Sequence, residues 1–220
     1  MPNTKAFRLD MTMMFAIHDA LRRELQHIAR ITAGTTDDPN HIIRSAVGWQ
    51  MFKTYLDVHH SCEDDLLWPV MRQELADRPD DLALMAALEA EHATMDPLLS
   101  AIDATVADRD SGSERLGALT DALTTALTGH LSHEESEGLA LIDATVTEEQ
   151  WEQFGNEHGK RLRPEAPRYL PWLLEGLDTD RTARILQNIP EPLRLAYRSQ
   201  WRPAYAEFDR WGATAEQPGS

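Results

Sequence analysis

Four histidines occupy positions where a helical repeat calls for leucine or isoleucine: His18, His59, His92 and His130. Two of them are followed four residues later by a glutamate, as His59-x-x-x-Glu63 and His130-x-x-x-Glu134. That spacing puts both side chains of a pair on one helix face, a turn apart. A buried ionised carboxylate is costly unless it is paired or bound to a cation, so two such pairs on apolar stripes point to a cation. Imidazole nitrogen with carboxylate oxygen suits iron or manganese, and carboxylates are able to bridge two ions. A structural zinc site of the multi-cysteine kind is excluded, since Cys62 is the only cysteine. No nucleophilic Ser/His/Asp set, phosphate-cradling glycine loop or dinucleotide fingerprint is present.

The elements that must bring these residues together are helices. Apolar residues recur at helical spacing almost throughout, with no convincing alternation at period two. A first helix is expected over roughly 9–31, with Met11, Met14, His18, Leu21, Leu25 and Ile28 on one stripe; the segment AGTTDDPN ends it. A second runs from about His41 to Ala76, carrying Phe52, Leu56, His59, Glu63, Leu66 and Val70. After DRPDD, where Asp77 or Asp80 can cap the next element, a third carries Leu82, Met85, Leu88, His92, Met95, Leu99, Ile102 and Val106. Beyond ADRDSGSE, Ser113 opens a fourth with Leu116, Leu119, Leu123, Leu127, His130, Glu134 and Leu141. Short polar connections between long helices predict an all-α, up-down-up-down four-helix bundle. In antiparallel neighbours the distances of the four histidines from their turns, roughly 12 to 18 residues each, bring all four within a few turns of one level.

Residues 1–146 are therefore read as the bundle and 147–220 as a helical extension packed upon it. The extension holds seven of the twelve prolines and four of the six tryptophans, a composition of shorter helices covering an outer face. Its expected pieces are 148–158, 166–176, 179–188 and 191–210, and the final ATAEQPGS reads as a frayed tail. Its aromatic surface fits three roles: a cap on the bundle, a homodimer interface, or a lid over a small-molecule pocket.

Charge narrows the partners. The formal net charge is −16, and the segment from Trp151 onward balances ten acids with ten bases, so the excess lies in the first 150 residues. A chain this acidic is not expected to bind nucleic acid through phosphates or an anionic membrane surface. One cysteine rules out an intrachain disulfide framework. Neither a secretory pattern at the N-terminus nor an apolar run of about 18 residues is present, and the expected compartment is the cytoplasm.

Four stretches, MFAIHDALRREL, HHSCEDDLLWPVM, EHATMDPLLSAI and HLSHEESEGLALI, in that order over about residues 9–142, resemble the hemerythrin-like, HHE cation-binding family. The resemblance implies a centre of two non-haem iron ions, oxo- or hydroxo-bridged. His18, His59, His92 and His130 would be terminal ligands, and Glu63 and Glu134 the carboxylates between the metals. The sequence departs from the oxygen-carrying members in the third helix: where they have a second histidine one turn after the first, this chain has Asp96. Either Asp96 supplies an oxygen or one iron has an open position, which argues against simple reversible oxygen carriage.

Other neighbours carry weaker expectations. His60 is a further ligand, an outer partner that orients one, or a proton relay, and His133 is treated likewise. Glu135, Glu91, Asp64 and Asp65 are read as outer or solvated acids, Cys62 as a small buried hydrophobe, and His27, His41 and His158 as ordinary histidines. Pro69 and Pro97 each delete an amide near the site and free the carbonyls of Asp65 and Ala93. The function expected is a di-iron protein reacting with dioxygen or peroxide, with catalase-like or oxidase turnover. The alternatives are a non-catalytic sensor or store for oxygen, nitric oxide or iron, and a structural bundle without metal.

Overall fold

The computed structural model describes residues 7–33, 39, 43, 46–108 and 113–212. The described residues contain helices and no strand. Helix α1, Thr12–Ala33, buries Met14, His18, Leu21, Leu25 and Ile28 of the stripe expected from its periodicity, with Ile17 beside them, and Met11 is buried just before its start. Asp10 Oδ1 accepts from the Thr12 amide at 3.0 Å, satisfying one free donor at its start.

Helix α2, Val47–Cys62, passes through a π turn, Glu63–Leu67, into α3, Trp68–Glu74. The start expected at His41 lies outside the described residues, but a continuous helix from there is ruled out by Ala46, which is extended (φ −72°, ψ 122°) as the N-cap of α2. Within the turn the Trp68 amide donates to the Glu63 carbonyl, an i to i+5 bond. Pro69, which has no amide to offer Asp65, sits directly after it and favours the wider turn. The extra residue moves the buried stripe on by one position: Leu67 and Met71 enter the core, whereas Leu66 and Val70, expected there, are only half-buried.

The third expected helix is two helices, α4, Pro79–His92, and α5, Met95–Ala107. The break at Ala93 and Thr94 has a local cause, because the Pro97 ring excludes the Ala93 carbonyl from a helical bond. No side chain caps α4. Pro79 takes its first turn, and Asp81 pairs with Arg78 at 2.6 Å. Helix α6, Ser113–His133, runs through a second π turn, Glu134–Gly138, into α7, Leu139–Thr145, and here too the closing amide, of Leu139, donates to Glu134.

Contacts between neighbours run in opposite senses. Along α1 and α6, Thr32 meets Thr120 while His18 and Arg22 meet Glu135. Lys53 and Trp49 of α2 reach Asp103 of α5, while Asp64 and Arg72 further along reach His92 and Glu89 of α4. These pairs are therefore antiparallel.

The remaining helices are α8, Glu148–Arg161; α9, Ala166–Leu174; α10, Thr179–Gln187; α11, Glu191–Ala196; and α12, Arg202–Ala206, the last two joined by a π turn, Tyr197–Trp201. A reciprocal capping box between Thr147 and Gln150 starts α8. These helices share a core with the bundle: Leu170, Trp172, Leu173, Ile185 and Trp211 pack in one cluster with Leu21, Phe52, Tyr55 and Leu56. Fixing this contact is a buried ion pair, in which Arg210 donates to both oxygens of Glu24 at 3.0 and 3.2 Å and Trp211 Nε1 adds a third bond at 2.9 Å. Gly48 permits the approach, since a Cβ there would lie 2.6 Å from the Trp211 ring and 2.9 Å from the Arg210 carbonyl. The tail expected to fray, residues 213–220, lies outside the described residues. No described helix is long and apolar enough to cross a membrane.

Candidate metal centre

The four helical stripes meet around His18, His59, His92, His130, Glu63 and Glu134, all of them buried. Two groups form there, each able to hold a metal ion. His18, His59 and Glu134 make one and His60, His92 and His130 the other, with the ligand atoms of each group within 4.8 Å of one another. His59 and His60 are neighbours in sequence and point about 100° apart around the helix. Helix α2 lies over the seam between the groups and gives one imidazole to each. The His60 ring lies flat on that of His92, with centroids 3.9 Å apart and an interplanar angle of 8°.

Glu63 spans the two groups. Its Oε1 is 3.5 Å from His59 Nε2 and its Oε2 is 3.4 Å from His92 Nε2. Glu134 Oε2 likewise stands 3.3 Å from His18 Nε2 and 3.9 Å from His130 Nε2. All four carboxylate oxygens are buried without a hydrogen bond. Both glutamates occupy the first position of a π turn, so the wide turns lie at the residues that span the groups.

Outside the groups stands a ring of acids. His18 Nδ1 donates to Glu135 at 2.9 Å, His92 Nδ1 to Asp64 at 2.8 Å, and His130 Nδ1 to Glu91 at 3.0 Å. A carboxylate can only accept, so each of these Nδ1 atoms carries a proton, and in the neutral imidazole Nε2 then faces inward as a lone pair. His92 Nε2 and His130 Nε2 then lie 3.1 Å apart, two lone pairs facing each other. His18 Nε2 and His59 Nε2 are at 3.2 Å. Two nitrogens each about 2.1 Å from a common ion, at right angles, are about 3 Å apart. The donor set therefore fits a cation in each group.

Without a cation the electrostatics of this core are unfavourable. Burial, then the neighbouring Glu134, pushes the Glu63 carboxyl well above the carboxylate range. Burial, then nearby imidazoles, drives His59 and His60 well below the ordinary histidine value. His18 moves the other way, to about 8: burial opposes its charge, but Glu134 and then Glu135 more than offset that. A proton on His18 thus occupies the place of a cation.

The other expected residues fall elsewhere. Asp96 is exposed in the first turn of α5 and belongs to neither group. His133 donates to Glu91 at 2.8 Å and so shares that acid with His130 rather than joining a group. Asp65 pairs with Arg161 at 2.7 Å, tying α8 to the π turn that bears Glu63. Cys62 is buried among Met14, Leu67 and Trp68, and burial pushes its thiol up to about 11. Of the histidines read as ordinary, His41 lies outside the described residues and His27 stacks near Trp211. His158 is buried, with its ring edge-on to His59. Only its place one turn after Phe154 on an apolar face distinguished it in the sequence, and that signal does not separate a core histidine from one serving a site.

The fold and the site together define a helical metal-binding protein, with paired histidine and glutamate groups inside a bundle. The family model of the hemerythrin HHE cation-binding domain matches residues 10–142, and the chain belongs to that family. No curated protein and no solved structure gives a match.

Proposed function

We propose that this chain binds two non-haem iron ions and uses them to react with dioxygen or peroxide. His18 and His59 would hold one ion, and His60, His92 and His130 the other. Glu63 and Glu134 would lie between them. The observation that carries this reading is Glu63, whose two oxygens face different histidine groups and have no hydrogen-bond partner. When bound, iron would supply redox change and Lewis acidity toward an oxygen species. The chain's own part is positional. Glu135, Asp64 and Glu91 fix the tautomers of His18, His92 and His130 and raise their basicity. The buried apolar walls, Met14, Trp68, Met85 and Leu88 among them, limit water.

Imidazole suits iron, zinc, copper and nickel, whereas oxygen-rich sites suit manganese; a centre with five imidazoles and two carboxylates sits toward iron rather than manganese. The test is metal analysis with an absorption spectrum of aerobically purified protein. About two irons per chain with charge-transfer bands support the reading, and a colourless protein that cannot be reconstituted overturns it. Addition of peroxide then separates enzyme from sensor: sustained oxygen evolution marks turnover, and a single stoichiometric spectral change marks binding alone.

A further inference from the structure

His59 differs from three of the histidines around it. His18, His92 and His130 are each backed at Nδ1 by a carboxylate, whereas His59 Nδ1 is buried with no partner. A ligating histidine almost always donates its other N–H to a carboxylate, a carbonyl or water, and a buried donor left unpaired is destabilising. Facing this ring is His158, in the last turn of α8, with centroids 6.4 Å apart at 85°; its Nε2 is buried and unpartnered as well. Allowing about 1.2 Å from each centroid to its nitrogen, the two nitrogens come no closer than about 4 Å, which rules out a direct hydrogen bond and leaves room for a water between them.

We infer that His158 is the outer partner of His59, joined to it through one bridging water, and that the C-terminal extension thereby orients a ligand of one metal position only. The inference rests on the proposed reading of the histidine and glutamate groups as a metal centre. His59 Nδ1–H donates to the water, and the water donates to His158 Nε2. A buried water needs two to four polar partners; the Tyr169 ring lies 6.0 Å from that of His158, and its hydroxyl is also buried and unpartnered. The register of His158 is fixed one turn on by Arg161, which donates to Ser61 at 3.1 Å and to Asp65 at 2.7 Å, on either side of Glu63 in the chain. The consequence is asymmetry. In the group of His92 and His130 both are backed by charged acids, whereas in the group of His18 and His59 one is backed by a neutral pair of water and imidazole.

The test compares wild type, His158→Leu and His158→Gln as full-length chains, titrated with cobalt(II) and followed by visible absorption and equilibrium dialysis. The expected result is that wild type takes up two ions. His158→Leu holds one as tightly as wild type and the other 10- to 100-fold more weakly, the usual loss when an outer partner is removed. The metal-free melting temperature of His158→Leu stays close to that of wild type, because burial of the leucine side chain offsets the loss of a neutral, water-mediated bond. His158→Gln restores part of the lost affinity. The inference is overturned if His158→Leu binds both ions as wild type does. It is equally overturned if that variant loses both together with a lower metal-free melting temperature, the signature of a packing residue. A wild type that binds no cobalt overturns the metal-centre reading itself, and this inference with it.

Discussion

At the scale of residues, the histidine tautomers matter most. An acid behind an imidazole decides which nitrogen carries the proton, and in His92 and His130 that choice turns two lone pairs toward each other at 3.1 Å. Such a contact is tolerable only with a cation or a proton between them. Glu63→Ala is therefore expected to lose metal, because it removes the carboxylate that reaches both groups; full metal content in that variant would refute the assignment. His60 and Asp96 make a paired comparison. His60→Ala should lose about one of two ions, as the third imidazole of its group disappears, whereas Asp96→Ala, an exposed change, should keep both. Metal-to-protein ratios after dialysis check the pair, and the reverse pattern would restore Asp96 as the ligand.

At the scale of elements, the two π turns set the register of everything beyond them. In α2 the extra residue carries the buried stripe from Leu66 and Val70 to Leu67 and Met71. In the second turn no proline is available, and Gly138 does the corresponding work by letting α4 approach: a Cβ there would lie 2.8 Å from Leu88 Cδ1 and 3.0 Å from Glu134 Cγ. Gly138→Ala is expected to cost about 1–3 kcal/mol, as overpacked cores do, and to weaken metal binding because the Glu134 stem must shift. Adding Leu88→Ala relieves the first clash and not the second. The double variant should therefore still bind metal poorly. Urea unfolding and cobalt titration read the two effects separately, and a double variant with wild-type metal affinity would show that Leu88 alone was displaced.

At the scale of the molecule, the bundle and the extension are held together by Glu24, Arg210 and Trp211, buried together at a shared core. Removing Glu24 leaves Arg210 only the more exposed Glu175, at 2.9 Å, as its acid partner, so Glu24→Ala should lose about 3 kcal/mol of stability in urea unfolding, the low end for a broken buried pair. The same pair gives a pH dependence with a definite sign. Although burial opposes its charge, Arg210 holds the Glu24 carboxyl below its ordinary value of 4.5. A group with a depressed folded pKa contributes fully above its unfolded value, and the contribution falls away as pH drops below 4.5 toward the folded value. The stability gap between wild type and Glu24→Ala should accordingly shrink in acid below that point, and a gap that widened there would contradict the assignment.

Much of this was legible in the chain itself. Helical periodicity fixed the all-helical class, and four histidines at matched distances from their turns, two with a glutamate a turn later, marked the centre, because side-chain direction along a helix follows from 3.6 residues per turn. Pro97 marked the break between α4 and α5 for an equally local reason. What lay beyond the sequence depends on relations between elements. His60 joins the second group because α2 straddles a seam, and a helical wheel does not say where the seam is. Asp96 is turned to solvent because the break before it reorients α5. His158 meets His59 across an interface between segments about a hundred residues apart, and spacing carries no information about such a meeting. Periodicity chose which residues faced inward; only the packing of one helix against another decided which of them face one another.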